Sequence, residues 1–446
     1  MAEQRIISAD SHFVEPPNMW AERIDKKFRD RAPHMVKGLH GREGEFFVCE
    51  NISPIPVAAA FGAGVPSEQL PDHNKKGFEA APASVWDPAA RLKDQDLDGV
   101  QAEVIYTTLG MPLYGLDDGE LRAACFRAYN DWAVEYCSYD PKRLLPLGLI
   151  TLEDIAGGVE ELKRIAKKGM RGAMIWAEPP EDRPYSHPDY NPFWATAQDL
   201  NLPLSLHILT SRRGMGSDFF QGNLARQVAV LHHEIERTLA VFVLDGVLER
   251  FPQLKIVSAE NDVAWIPYFM WRMDFAQERF GRSGANPVKL SLKPSEYVKR
   301  QVYATFINEP IFVHTVGLYG ADNGMWASDY PHTAASWPRS QQFIRETFAG
   351  LSEDNRRKIV HDTAAHLYGI NYYKLTPSTY ADYAESKIIT GRRNQRWLLQ
   401  QADVCAEPFA TNVARTRCSW AIVIAAIASG QAAVPTHQRL GCREMR

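Results

Sequence analysis

The chain has 446 residues, of which 45% are hydrophobic and 23% charged, and its formal net charge is −4. That balance suits a globular protein with ample core, either two or three ordinary domains or one large α/β barrel with additions. It excludes the strongly basic footprint of a nucleic-acid or anionic-membrane binder. The six cysteines (Cys49, Cys125, Cys137, Cys405, Cys418, Cys442) are scattered and form no CxxC pair. They argue against a thiolate zinc site and a disulfide framework and suit a reducing cytosol. A cytoplasmic location is therefore expected, because MAEQRIISAD lacks the pattern of a signal peptide and the apolar run 420–428 is too short to span a bilayer.

In chain order, a short apolar strand at Ile6–Ala9 ends in Asp10, Ser11 and His12. Residues i and i+2 of a strand face the same way, so Asp10 and His12 present a carboxylate and an imidazole side by side. Both are good ligands for a divalent metal, though Asp-x-His also suits a helix cap or a solvated turn. A long Pro- and Gly-rich insertion follows, about 16–88, with a hairpin expected around 45–56. Trp86-Asp87-Pro88 opens a helix through Arg91 and Leu92. Further strands are expected at 102–108, 144–150, 172–177, 203–209, 255–261, 302–306 and 323–330. Most are continuous apolar runs, as parallel strands covered on both faces should be. Helical patterns cover 120–137, 153–168, 191–199, 224–251, 265–279, 340–348 and 353–368. Eight strands interleaved with helices predict a (β/α)₈ TIM barrel over residues 1–375, in the α/β class. A doubly wound open sheet is the alternative, but no GxGxxG or GxxxxGK[ST] follows a strand. Residues 376–446, with the basic cluster Arg392, Arg393 and Arg396, read as an appended C-terminal extension.

Reactive groups of such a barrel gather at the carboxyl ends of its strands. Here those ends carry Asp10 and His12, then His207, then Glu260-Asn261, then Asp329-Tyr330-Pro331-His332. Alone, His207 reads as a core histidine and Asp329 as a turn residue. Together they describe a mononuclear site with an open position.

At these residues the sequence resembles the amidohydrolase superfamily, in the branch related to aminocarboxymuconate-semialdehyde decarboxylase and γ-resorcylate decarboxylase. The pieces that carry the resemblance are ADSHFVEPP, WDPAARLKDQDLDGV, AYNDWAVEYC, LPLSLHI, GVLERFPQLKIVSAEN, WIPYFMWRMD, MWASDYPH and HDTAAHLYGI. They cover most of residues 5–371 in order. The resemblance implies Asp10, His12, His207 and Asp329 as metal ligands, with Asp329 also handling a proton. GAMIWAEP has no lysine to bridge a second ion, so one divalent metal is expected. Zinc is the first expectation, with Mn²⁺ or Fe²⁺ as alternatives.

The chain departs from the decarboxylases at strand 6, where Ser258-Ala259-Glu260-Asn261 stands in place of their catalytic histidine. Glu260 is the natural substitute as acid or base, unless it merely pairs with a cation such as Arg272. His332 reads as a substrate contact or a loop cap. Arg212 and Arg213 read as a clamp for a substrate carboxylate or as an exposed loop. His232-His233 mimics a metal pair, but adjacent helical residues are not expected to share a face. The implied function is metal-dependent nonoxidative decarboxylation of an aromatic or unsaturated carboxylic acid. Hydrolysis of an ester, amide, lactone or C–C bond is the first alternative, and a non-catalytic small-molecule-binding barrel the second. The expected partner is a small-molecule substrate, with no nucleic acid and no membrane, and relatives of this kind commonly form a homodimer.

Overall fold

Strand β1 (Ile6–His12) is buried from end to end, as a strand covered on both faces must be. After it the chain leaves the barrel for the insertion, which is more ordered than its Pro and Gly content suggests. A short helix (Met19–Arg23) leads to an antiparallel meander of β2 (His34–Leu39), β3 (Arg42–Cys49) and β4 (Ile52–Pro56). Pro54 and Pro56 are tolerated because β4 lies at the sheet edge, where a missing N–H breaks no ladder. The expected hairpin is therefore two of the strands, β3 and β4, of a three-stranded sheet.

The chain re-enters the barrel at β5 (Val100–Tyr106), parallel to β1. Next come β6 (Leu144–Pro146) and its continuation β7 (Gly148–Leu149), β8 (Ala173–Ile175) and β9 (Leu204–His207). The series ends with β10 (Ile256–Ala259), β11 (Val302–Phe306) and β12 (Gly324–Trp326). Every neighbouring pair from β7 to β12 is parallel. Counting β6 and β7 as one strand that switches partner at Leu147, eight strands stand side by side. The ring closes where Asp329 N donates to Asp10 O (3.0 Å) and His12 N donates to Tyr330 O (2.7 Å). The fold is the expected TIM barrel.

The structure, a computed structural model, describes residues 5–211, 224–281 and 288–370, all within the unit Met1–Ile370. Arg212, Arg213 and the extension 376–446 lie outside the described residues. The long helix expected at 224–251 is three shorter ones, Leu224–Val230, His232–Leu244 and Val247–Arg250. Gly246, at φ 75°, makes the left-handed turn before the last. Helices Pro294–Gln301 and Phe312–Tyr319 escaped the sequence reading because each spans barely two turns. Among the described residues no helix is long and apolar enough to cross a membrane.

The barrel seam is held by Arg91, fully buried on helix Pro88–Asp98. Its guanidinium forks onto Glu103 (2.7 and 3.1 Å) and also donates to His12 O (2.9 Å) and Tyr330 O (3.2 Å). One side chain thus ties together the ends of β1 and of the segment after β12.

Candidate metal centre

Four strand ends converge at the barrel mouth. Asp10 Oδ1 lies 3.4 Å from His12 Nε2 and 3.6 Å from His207 Nε2. Asp329 Oδ1 is also 3.4 Å from His12 Nε2. Glu260 Oε2 lies 3.4 Å from His207 Nε2 and 3.9 Å from His12 Nε2. Glu260 and Asp329 reach inward from left-handed backbone, at φ 56° and 58°. Non-glycine residues adopt that conformation at a cost, and it recurs at functional sites.

The far side of each group is anchored. His12 Nδ1 donates to Thr107 O (2.9 Å) and His207 Nδ1 to Ile208 O (3.0 Å). A carbonyl can only accept, so each ring carries its proton on Nδ1 and turns an Nε2 lone pair toward the centre. Thr305, on β11, donates to Asp10 Oδ2 (2.7 Å) and accepts from Glu260 N (2.8 Å). His332 Nδ1 donates to Asp329 Oδ1 (2.8 Å), and its ring stacks on His12 with centroids 4.0 Å apart. Its Nε2 pairs with Thr108 Oγ1 (3.0 Å).

What remains at the centre is a set of lone pairs facing one another. Asp10 Oδ1, His12 Nε2 and His207 Nε2 are buried and have no hydrogen-bond partner. Orphaned buried polar atoms are rare, and three aimed at one point call for a cation. Donors about 2.1 Å from a zinc-sized ion at tetrahedral corners stand about 3.4 Å apart, close to the separations found here. The donor set therefore fits a divalent metal.

The charges agree. Burial alone would raise the carboxyl of Asp10, but His207 and His12 hold it well below the usual range. Burial and the neighbouring His332 push His12 down, toward its neutral, ligating form. Burial, then the charges of Asp329 and Asp10, push Glu260 well above the usual carboxylate range. Burial opposes a charge on His332, yet Asp329 beside it raises its pKa overall.

The structure thus gathers Asp10, His12, His207, Glu260, Asp329 and His332. Glu260 does not pair with Arg272, which lies exposed over the Phe275 ring (5.4 Å). His232, His233 and Glu236 do meet, with ligand atoms within 4.8 Å of one another, because side chains of adjacent residues can lean toward a common partner. His233 is bonded to Glu236 (3.1 Å) and largely exposed. Sequence reading missed Thr305 and Glu15. Glu15 is buried, accepts from the Thr107 hydroxyl and from Leu109 N (2.8 Å), and is pushed up to about 7 by burial. The signal for Glu15 was its place in DSHFVEPP, three residues after His12; Thr305, inside an apolar strand, carried none.

The family model described as Amidohydrolase matches residues 52–370. The chain is 23% identical over 320 residues to γ-resorcylate decarboxylase of Polaromonas sp. strain JS666, spanning 68% of this chain and 93% of that one. An amidohydrolase structure from Mycobacterium avium subsp. paratuberculosis K-10 superposes with TM-score 0.67 at 22% identity, over 83% of this chain and 100% of that one. A dihydroxybenzoic acid decarboxylase from Polaromonas sp. JS666, with bound manganese and the inhibitor 2-nitroresorcinol, superposes with TM-score 0.59 at 18% identity. That match covers 83% of this chain and 98% of the other.

Proposed function

The chain belongs to the amidohydrolase family, and we propose that it is a metal-dependent carboxy-lyase that removes CO₂ from an aromatic carboxylic acid without oxidation. The observation that carries this reading is that Asp10, Asp329 and Glu260 all face His12 Nε2, while Asp10 and Glu260 also face His207 Nε2. The relative from Polaromonas, named for the same chemistry, supports it. A divalent ion among these groups would act as a Lewis acid on a substrate oxygen and offset the carboxylates. Zinc is our reading of its identity; manganese is the second reading, because the structure of the Polaromonas dihydroxybenzoic acid decarboxylase carries it and a carboxylate-rich donor set suits it. Metal analysis of the purified protein separates the two.

Loss of CO₂ leaves an electron pair on a ring carbon, which must take up a proton. Glu260 has 21% of its side chain open to the mouth while its carboxylate faces both histidines, so a substrate can reach it. We assign it the proton delivery that a strand-6 histidine performs in the resembling enzymes. Asp329 and His332 form a second proton-holding pair, and the partial exposure of His332 suits a substrate contact. Arg212 and Arg213 remain candidates for the substrate carboxylate. The scattered cysteines favour a cytoplasmic setting.

The test is CO₂ release from a panel of hydroxybenzoates by the metal-loaded protein. Glu260→Gln should lower kcat by about 10²–10⁴ with the metal retained. Turnover of an ester or lactone panel with no CO₂ from any acid would favour hydrolysis instead. Tight ligand binding without turnover of either panel would favour the non-catalytic barrel.

A further inference from the structure

Helix His232–Leu244 opens with two histidines, and Glu236 follows one turn on. Glu236 is four residues from His232 and three from His233, the two spacings that bring helical side chains together. Adjacent helical residues start about 100° apart around the axis, yet the two imidazole rings lean to centroids 4.3 Å apart. His233 Nδ1 lies 3.1 Å from Glu236 Oε2, and one ligand atom from each of the three lies within 4.8 Å of the others. Arg237, next in the chain, turns to Glu178 instead (2.9 Å). Burial and then His233 push His232 down, toward its neutral, ligating form, against the opposing charges of Glu236 and Asp262.

This cluster shares no side chain with the barrel centre. Two imidazole nitrogens and one carboxylate oxygen are the donor set of an open zinc site, with water at the fourth corner. Nitrogen donors favour such a metal over magnesium or calcium, which seek oxygen. Ligand atoms around tetrahedral zinc stand about 3.4 Å apart. The His233–Glu236 pair is already that close, and the remaining closure falls to side chains free to turn, His233 being 58% exposed and Glu236 25%. A helix N-terminus opposes a cation only weakly, and the carboxylate of Glu236 answers it. The His232 ring lies 6.0 Å from that of Trp265, whose indole donates to Asn261 O (2.7 Å), one residue beyond Glu260. The cluster thus borders the segment that carries the assigned acid.

We propose that His232, His233 and Glu236 form a second zinc site, on the surface and of micromolar affinity, separate from the barrel centre. The inference does not depend on the reaction assigned above. The test counts zinc bound by the untagged full chain, in competition with a chromophoric chelator. The wild type should hold one weaker zinc per chain in addition to the tight one. His233→Ala and Glu236→Gln should each weaken that extra zinc at least about tenfold, since losing even a group behind a ligand costs that much. The tight zinc and the melting temperature of the zinc-free chain should not change. Two variants keep the answer readable if one of them folds poorly. Zinc counts and affinities equal in all three chains would overturn the proposal, and so would loss of the tight zinc in either variant. A wild type that binds only the zinc these variants remove would support this site and overturn the barrel centre.

Discussion

Two buried polar clusters share His12 and differ in what they leave over. Its carbonyl belongs to the Arg91 cluster, where Glu103, Gln95 and two backbone oxygens answer every charge and only the neutral Gln95 Oε1 is left without a partner. Its ring belongs to the other cluster, where three atoms have no partner and the surrounding carboxylates repel one another. A buried ionic group that satisfies itself holds a fold together. One that leaves convergent lone pairs is completed from outside, by a cation.

That contrast can be broken by experiment. Stripping divalent ions with a chelator should lower CO₂ release by at least about a thousandfold, and zinc or manganese should restore it. Activity that survives exhaustive chelation would sink the metal reading. Arg91→Met leaves Glu103 buried without its counter-charge and should cost about 3–5 kcal/mol in urea unfolding, with or without metal. Glu260→Gln should do the reverse in the metal-free protein. It removes one of several crowded carboxylates, so the melting temperature should rise even as activity falls. A lower melting temperature would mean the metal centre is self-satisfied like the Arg91 cluster.

Glu15 sharpens the comparison through pH. Its folded pKa of about 7 lies above the ordinary 4.5, so the folded chain binds the proton more tightly than the unfolded one. Its contribution is full below pH 4.5 and is lost as pH rises to about 7, so stability falls across that window. Glu15→Gln keeps the neutral form and should flatten that part of a urea-midpoint profile; an unchanged slope would remove Glu15 from the account. The smallest effect belongs to Thr305→Val, which frees Asp10 and the Glu260 backbone from a shared hydroxyl. Metal affinity should fall about tenfold, measured by competition with a chromophoric chelator, while the fold persists.

Much of this was readable along the chain. The apolar runs marked all eight barrel strands, because a strand buried on both faces must be apolar throughout. Asp10 and His12 could be paired from a two-residue spacing alone, since strand periodicity is local. The ordered insertion was harder to see, because prolines at a sheet edge look the same as prolines in a loop.

The sequence by itself determined the number of strands, the ligand-type residues at their ends and the lack of a lysine for a second ion. Only the tertiary structure decided which nitrogen of each histidine faces the centre, that Glu260 turns to the histidines rather than to Arg272, and that Arg91 locks the seam. Those are questions of orientation between segments far apart in the chain. They are answered by hydrogen bonds to carbonyls and by left-handed backbone at strand ends, neither of which leaves a periodic trace in the order of residues.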